Sequence, residues 1–199
     1  MELAKHPQSQ PAFTLIELVV VITVIGILVA LLFPAFKGVQ DQAKRTQAKN
    51  DVTQIGTAVN AFYTEYGKYP VTVAGEPTFG PGGMPTSNQT LLNPLRALDV
   101  VLNPRQIVFL SPPDVKDKAN PRSGIGTDAA NLGQYFDPWG SNYVIRIDGD
   151  YKNTLVNPYG NNNGAGADPL HQGVIAWSLG KDGVLSAIFT DSDDVISWQ

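Results

Sequence analysis

The sequence predicts an α+β fold: a long N-terminal helix, part membrane stem and part amphipathic, packed on a small antiparallel β-sheet with large loops. Three observations carry this reading. Residues 13–36 form an apolar run with one charged residue, Glu17. From Ala48 to Tyr66 the apolar residues keep a helical period. Beyond residue 137 short alternating segments lie among turns rich in Gly, Pro and Asp.

The bulk numbers exclude several classes. A chain of 199 residues suits one domain with an appendage. With 43% hydrophobic and 16% charged residues it is globular in composition, not disordered. The net charge of −4 and the lack of a basic tract argue against a nucleic-acid partner. Cysteine is absent, which rules out a disulfide framework and thiolate metal sites. Past Glu76 every carboxylate is an Asp, a turn former and a calcium-ligand type.

The first element is the run Phe13 to Phe36. Its 24 residues would span about 36 Å as a helix, enough for a hydrocarbon core of about 30 Å. A secretory signal would have a shorter apolar region and small residues before its cut. This run ends in Phe33-Pro34-Ala35-Phe36 and reads as an anchor that stays. A carboxylate in such a segment is costly, and near an end it can also simply snorkel to the interface. It gains a purpose if the chain is cut before Phe13. The new α-amine would then lie four residues from Glu17, and a neighbouring copy's amine would meet that carboxylate at one axial offset only. The pair would set the register of an assembly.

The second element continues the helix over residues 37–69. Lys37/Asp41 and Asp41/Arg45 are i,i+4 pairs suited to water. Ala48, Val52, Ile55, Val59, Phe62 and Tyr66 then form one face, too short for a coiled coil and suited to packing on a head domain. Gly67 is a natural C′ residue, with Pro70 beyond it.

The head is expected over 70–199. Residues 73–88 read as loop, 89–102 as a short helix interrupted by Pro94, Ile107 to Leu110 as a strand or buried loop, and 112–134 as loop. Asp137-Pro138-Trp139-Gly140 suits a type I turn. In the strand that follows, Tyr143, Ile145 and Ile147 share a face, and Gly149-Asp150 could return the chain toward 151–156. Val174 to Trp177 and Val195 to Trp198 are the remaining strands of the sheet region 137–199.

The densest polar chemistry lies in Ser178-Leu179-Gly180-Lys181-Asp182-Gly183 and Asp191-Ser192-Asp193-Asp194. Such a loop can offer oxygens to calcium, though it lacks the order of an EF-hand. The alternative is a solvated acidic turn. No nucleophile motif organises the serines, and His171 has no evident partner, so an enzyme is the weakest reading.

These residues carry a resemblance. Ala12-Phe13-Thr14-Leu15-Ile16-Glu17, followed by the apolar run to Pro34, resembles the processing and methylation segment of type IV pilins and type II secretion pseudopilins. The Tyr66-Gly67-Lys68-Tyr69-Pro70 segment, the Asp137-Pro138-Trp139-Gly140 turn and the acidic end are similar to major pseudopilins. The resemblance implies a leader peptide (1–12), cleavage between Ala12 and Phe13, and N-methylation of Phe13 by a prepilin peptidase. Glu17 matches the assembly glutamate and Pro34 the helix-kinking proline, which removes an N–H and clashes with the carbonyl at Ala30. It also implies a calcium site, with the Leu179 carbonyl and the carboxylates of Asp182, Asp191 and Asp194 as ligands and Asp193 as a weaker candidate. The chain departs from the pattern in having Ala where Gly usually precedes the cut, and an apolar stretch, Val184 to Phe189, where the family is Gly-rich. Residues 78–134 look enlarged.

By this resemblance the chain would be a structural subunit, not an enzyme. It would sit in the bacterial inner membrane by one span with its head in the periplasm. It would polymerise with copies of itself and minor pseudopilins, on an inner-membrane platform, into a rod that drives protein secretion. The charge bias alone, with Lys37, Lys44, Arg45 and Lys49 after the run, would put the head in the cytoplasm; the family orientation is the reverse. A type IV pilus subunit and a stand-alone anchored binding module are the alternatives.

Overall fold

The computed structural model describes residues 13–81, 87–161 and 163–199, and for 32–35 the helical backbone alone. The chain divides into one unit running through Gln42 and a second, Ala43–Gln199. Helix α1, Leu15–Tyr66, is 52 residues long and contributes to both. In the first unit its apolar stretch is exposed. It is one helix long and apolar enough to cross a membrane.

In the second unit α1 ends as expected. Gly67 has φ +66°, and its N–H donates to the Tyr63 carbonyl at 2.8 Å, closing the last turn. Ala48, Val52, Ile55, Val59 and Phe62 are fully buried, so the apolar stripe faces the head core. That core also takes the side chains of Tyr143, Ile145 and Ile147, the face read from their alternation.

The sheet has four antiparallel strands in the order β1-β4-β5-β6. They are β1 (Thr78–Phe79), β4 (Val144–Ile147), β5 (Val174–Ser178) and β6 (Val195–Ile196). A two-stranded ribbon pairs β2 (Gly124–Ile125) with β3 (Tyr135–Phe136). Helix α2, Asn88–Leu95, lies between β1 and β2 in the chain. Both faces of the four-stranded sheet are covered. Val144, Ile175, Trp177 and Ile196 point away from α1 into a second apolar cluster with Leu155, Tyr159, Ala165 and Leu170.

Four sequence expectations are corrected here. Residues 73–88 are not all loop, because Thr78 and Phe79 pair with Arg146 and Ile145 as the edge strand β1. Residues 112–134 contain β2; two-residue strands of this kind have too little alternation to be read. The segment 151–156 does not return beside β4. Tyr151 and Asn153 have φ of +59° and +55°, which breaks an extended strand, and β4 pairs instead with β5. Pro94 does not interrupt α2 but lies inside it, one residue from its end. Ile107 to Leu110 is a loop, buried at Leu110 but exposed at Val108, with the Phe109 and Leu110 amides both donating to the Leu95 carbonyl.

Asn88 ties the head together. Its side-chain amide donates to the carbonyls of Tyr135 and Tyr143, both at 3.0 Å, and its oxygen accepts from the Tyr135 amide. One buried side chain thus satisfies backbone groups of the ribbon and of the residue leading into β4. Phe62 is the largest α1 side chain in this core, with Tyr66 at 4.6 Å and Phe109 at 5.4 Å between ring centroids. Phe62→Ala is expected to destabilise the head by about 3–5 kcal/mol, a Tm fall of roughly 10 °C in a thermal melt of the detergent-solubilised chain.

Candidate functional site

Two regions carry the chemistry, one in each unit. In the first, Thr14 and Glu17 form a capping box. The Thr14 amide and hydroxyl both donate to Glu17 Oε2, at 2.8 and 2.7 Å, and the Glu17 amide donates to Thr14 Oγ1 at 3.3 Å. This T-x-x-E arrangement satisfies donors that a helix start leaves orphaned. The sequence reading missed Thr14, although the four-residue pattern was there to be read. The box also explains how a carboxylate is tolerated in the first turn, where the helix dipole favours negative charge. Phe13 is 85% exposed beside it. Ala12 lies outside the described residues. Helix α1 runs through Pro34, whose side chain also lies outside the described residues.

In the second unit the acidic loop connects β5 to β6. Asp137 anchors its start. That carboxylate is fully buried and accepts from the amides of Trp139, Gly140 and Ser141 at 2.8–2.9 Å, while its other oxygen accepts from Ser178 Oγ at 2.5 Å. The Asp-Pro-Trp-Gly turn is therefore stitched to the end of β5. At Gly180 (φ +64°) a Cβ would lie 2.5 Å from Asp193 Oδ1, so glycine alone lets the loop pass so close.

Asp194 is 4% exposed. Its Oδ2 accepts from the Tyr159 hydroxyl at 2.9 Å and the Ser186 amide at 3.2 Å. Its Oδ1 is buried without a hydrogen-bond partner, and so is Asp193 Oδ1. Burial pushes the Asp194 carboxyl up, and the negative charges of Asp182 and Asp193 push it the same way. Two orphaned carboxylate oxygens in a field of like charge fit a hard cation better than a solvated turn. Asp182 is exposed, with Oδ1 accepting from the Val184 amide at 2.9 Å. Leu179 is buried. Asp191 is exposed on a single 3-10 turn, Phe189–Asp191, and is not among the charges acting on Asp194. Asp193, the weaker candidate by resemblance, is thus better placed than Asp191. Among the described residues no three carboxylate or imidazole groups converge as a preformed metal cluster.

The profile described as the prokaryotic N-terminal methylation motif matches residues 8–33, which take in the capping box. A type II secretion system core protein G of Pseudomonas aeruginosa is 41% identical over 68 residues, 34% of this chain and 48% of that protein. Another, of Klebsiella pneumoniae, is 26% identical over 193 residues, 96% of each chain. The chain is similar to type II secretion system core G proteins. The type IV major pilin protein PilA of Myxococcus xanthus is also similar, 35% identical over 69 residues, 35% of this chain and 31% of the pilin. The matched stretch spans about half the length of the first core G relatives, 48% in each. No solved structure gives a significant match. Motif and cap coincide within Phe13 to Glu17.

Proposed function

We propose that this chain is a structural subunit of a pseudopilus, the rod of a type II protein secretion system. A prepilin peptidase cuts between Ala12 and Phe13 and methylates the new amine. The apolar part of α1 holds the subunit in the inner membrane with its head in the periplasm. A platform in that membrane adds subunits, and the growing rod pushes cargo outward. Glu17 pairs with the Phe13 amine of an adjoining copy and sets the axial offset.

The observation that carries this reading is the methylation motif over residues 8–33 with Glu17 seated in the first turn of an exposed apolar helix. Only Oε2 of Glu17 has hydrogen-bond partners given by the capping box, so the box and an intersubunit ion pair are compatible. N-terminal mass spectrometry of the mature protein tests the processing step. A chain starting at methylated Phe13 is expected; a chain retaining residues 1–12 in assembled material refutes it.

Calcium is part of the same proposal. The orphaned oxygens of Asp193 and Asp194 support a cation there, with Asp182 and the Leu179 carbonyl completing the protein's share and water the rest. When bound, calcium supplies positive charge that ties the two ends of the loop together. The likeness to a major pilin keeps a second reading, a type IV pilus subunit. Rods that extend from the cell surface and retract at normal expression would favour it.

A further inference from the structure

We infer that Asp137 and Ser178 are positioning residues for the proposed calcium site: across 41 residues of sequence they fix the loop so that one Asp193 carboxylate oxygen is left for the cation. The inference rests on the proposed site and names what orients it.

The connection runs from turn to strand to loop. Asp137, fully buried, commits Oδ1 to its own turn, accepting from the amides of Trp139, Gly140 and Ser141. Its Oδ2 takes no part in that turn and accepts from Ser178 Oγ at 2.5 Å. A hydroxyl has one proton, here directed at Asp137, so its lone pairs are left for a donor. The Gly180 amide is that donor, at 3.1 Å. Gly180, at φ +64°, lies against Asp193: a Cβ there would stand 2.5 Å from Oδ1 and 2.6 Å from the Asp193 carbonyl oxygen. One residue on, the Lys181 amide donates to Asp193 Oδ2 at 2.6 Å. One oxygen of Asp193 is thereby pinned, and the other, Oδ1, is buried without a partner.

Two features separate positioning from a plain structural staple. Oδ1 alone closes the Asp137 turn, so the branch through Oδ2, Ser178 and Gly180 acts on the loop. That branch ends on a carboxylate with a desolvated oxygen, which is unfavourable unless a positive charge meets it. A loop built for stability alone would give that oxygen an amide. The same turn touches the loop again: a Cβ at Gly183 would meet Ser141 Oγ at 3.3 Å. Asp182 thus sits between two points, Gly180 and Gly183, that the turn holds. Hydrogen bonds that orient a ligand without touching the metal are worth roughly 10–100-fold in affinity.

Terbium, a hard trivalent cation that takes oxygen ligands as calcium does, reports its own binding here. Tyr159, whose hydroxyl donates to Asp194 Oδ2 at 2.9 Å, sensitises its emission. The detergent-solubilised full chain is titrated with terbium, with calcium as competitor, and its thermal melt is recorded in chelator. Ser178→Ala removes the relaying hydroxyl, and Asp137→Asn turns its acceptor into a donor; both leave Asp182, Asp193 and Asp194 in place. Each is expected to weaken both cations roughly 10–100-fold. Gly180→Ala, confined to the loop, drives a Cβ into Asp193 and is expected to do the same; it carries the test if neither of the others gives a cooperative melt. A mere staple would lower the Tm in chelator and leave the affinity of the folded chain at the parent value. Parental affinity in any of the three variants that folds therefore overturns the inference and leaves the calcium site standing. A parent chain from which calcium displaces no terbium removes the site itself, and this inference with it.

Discussion

Glu17→Gln is expected to abolish the proposed rod assembly, with polymer yield down by a factor on the order of 100, while cleavage before Phe13 and the helix start are retained. A Gln at this position still reaches back to Thr14, so the substitution keeps the capping box and removes the charge alone. That separates the two roles the structure allows for this residue. If Glu17 were only a cap, the amide would serve as well and rods would form normally. If it neutralises an ammonium in lipid, its removal leaves a charge without a counter-ion where water cannot screen it, the situation in which breaking a pair costs most. Rod yield is measured by shearing and sedimentation, and processing by mass spectrometry. Normal rods from Glu17→Gln would refute the register role.

If calcium binds as proposed, it is expected to raise the Tm of the detergent-solubilised chain by about 5–10 °C at a hundredfold excess over its Kd, and Asp194→Asn to remove that shift. The same variant changes the pH profile in chelator. Burial and the charges of Asp182 and Asp193 hold the Asp194 carboxyl above the usual carboxylate range. The folded state then binds this proton more tightly than the unfolded chain. Its contribution to stability is complete below the unfolded carboxylate value and is lost as pH rises through the folded one. In chelator the parent chain therefore loses stability over the window just above ordinary carboxylate values, and Asp194→Asn loses less. Asp51 and Asp137 are also pushed up by burial and contribute in the same direction in both proteins, so the difference between the two profiles isolates Asp194. Identical melting of parent and variant, with and without calcium, would remove the cation from the proposal.

Much of the head was legible because its core obeys a period. The 4-3-4-3-4 spacing from Ala48 to Tyr66 placed five fully buried residues on one face, and the alternation from Tyr143 to Ile147 placed three more. Val144, Ile175 and Trp177 showed where that logic stops. Their side of the sheet is apolar because residues 155–170 fold over it, a contact between distant segments that no local pattern encodes. The acidic loop divides in the same way. Residue types announced a candidate cation site, but the buried, unpartnered oxygens of Asp193 and Asp194 came from packing.

From its sequence alone this chain is a long helix with an anchor-grade apolar run, a carboxylate in its first turn, an amphipathic continuation, and a head closed by an acidic loop. Those features are local: composition, spacing and capping act over a few residues and leave their mark there. Folding in three dimensions placed β1 at the sheet edge, covered both sheet faces and buried Asp194 with an unpartnered oxygen. Each of these depends on which distant segments exclude water from one another, and desolvation is a property of the packed chain, not of any residue in it.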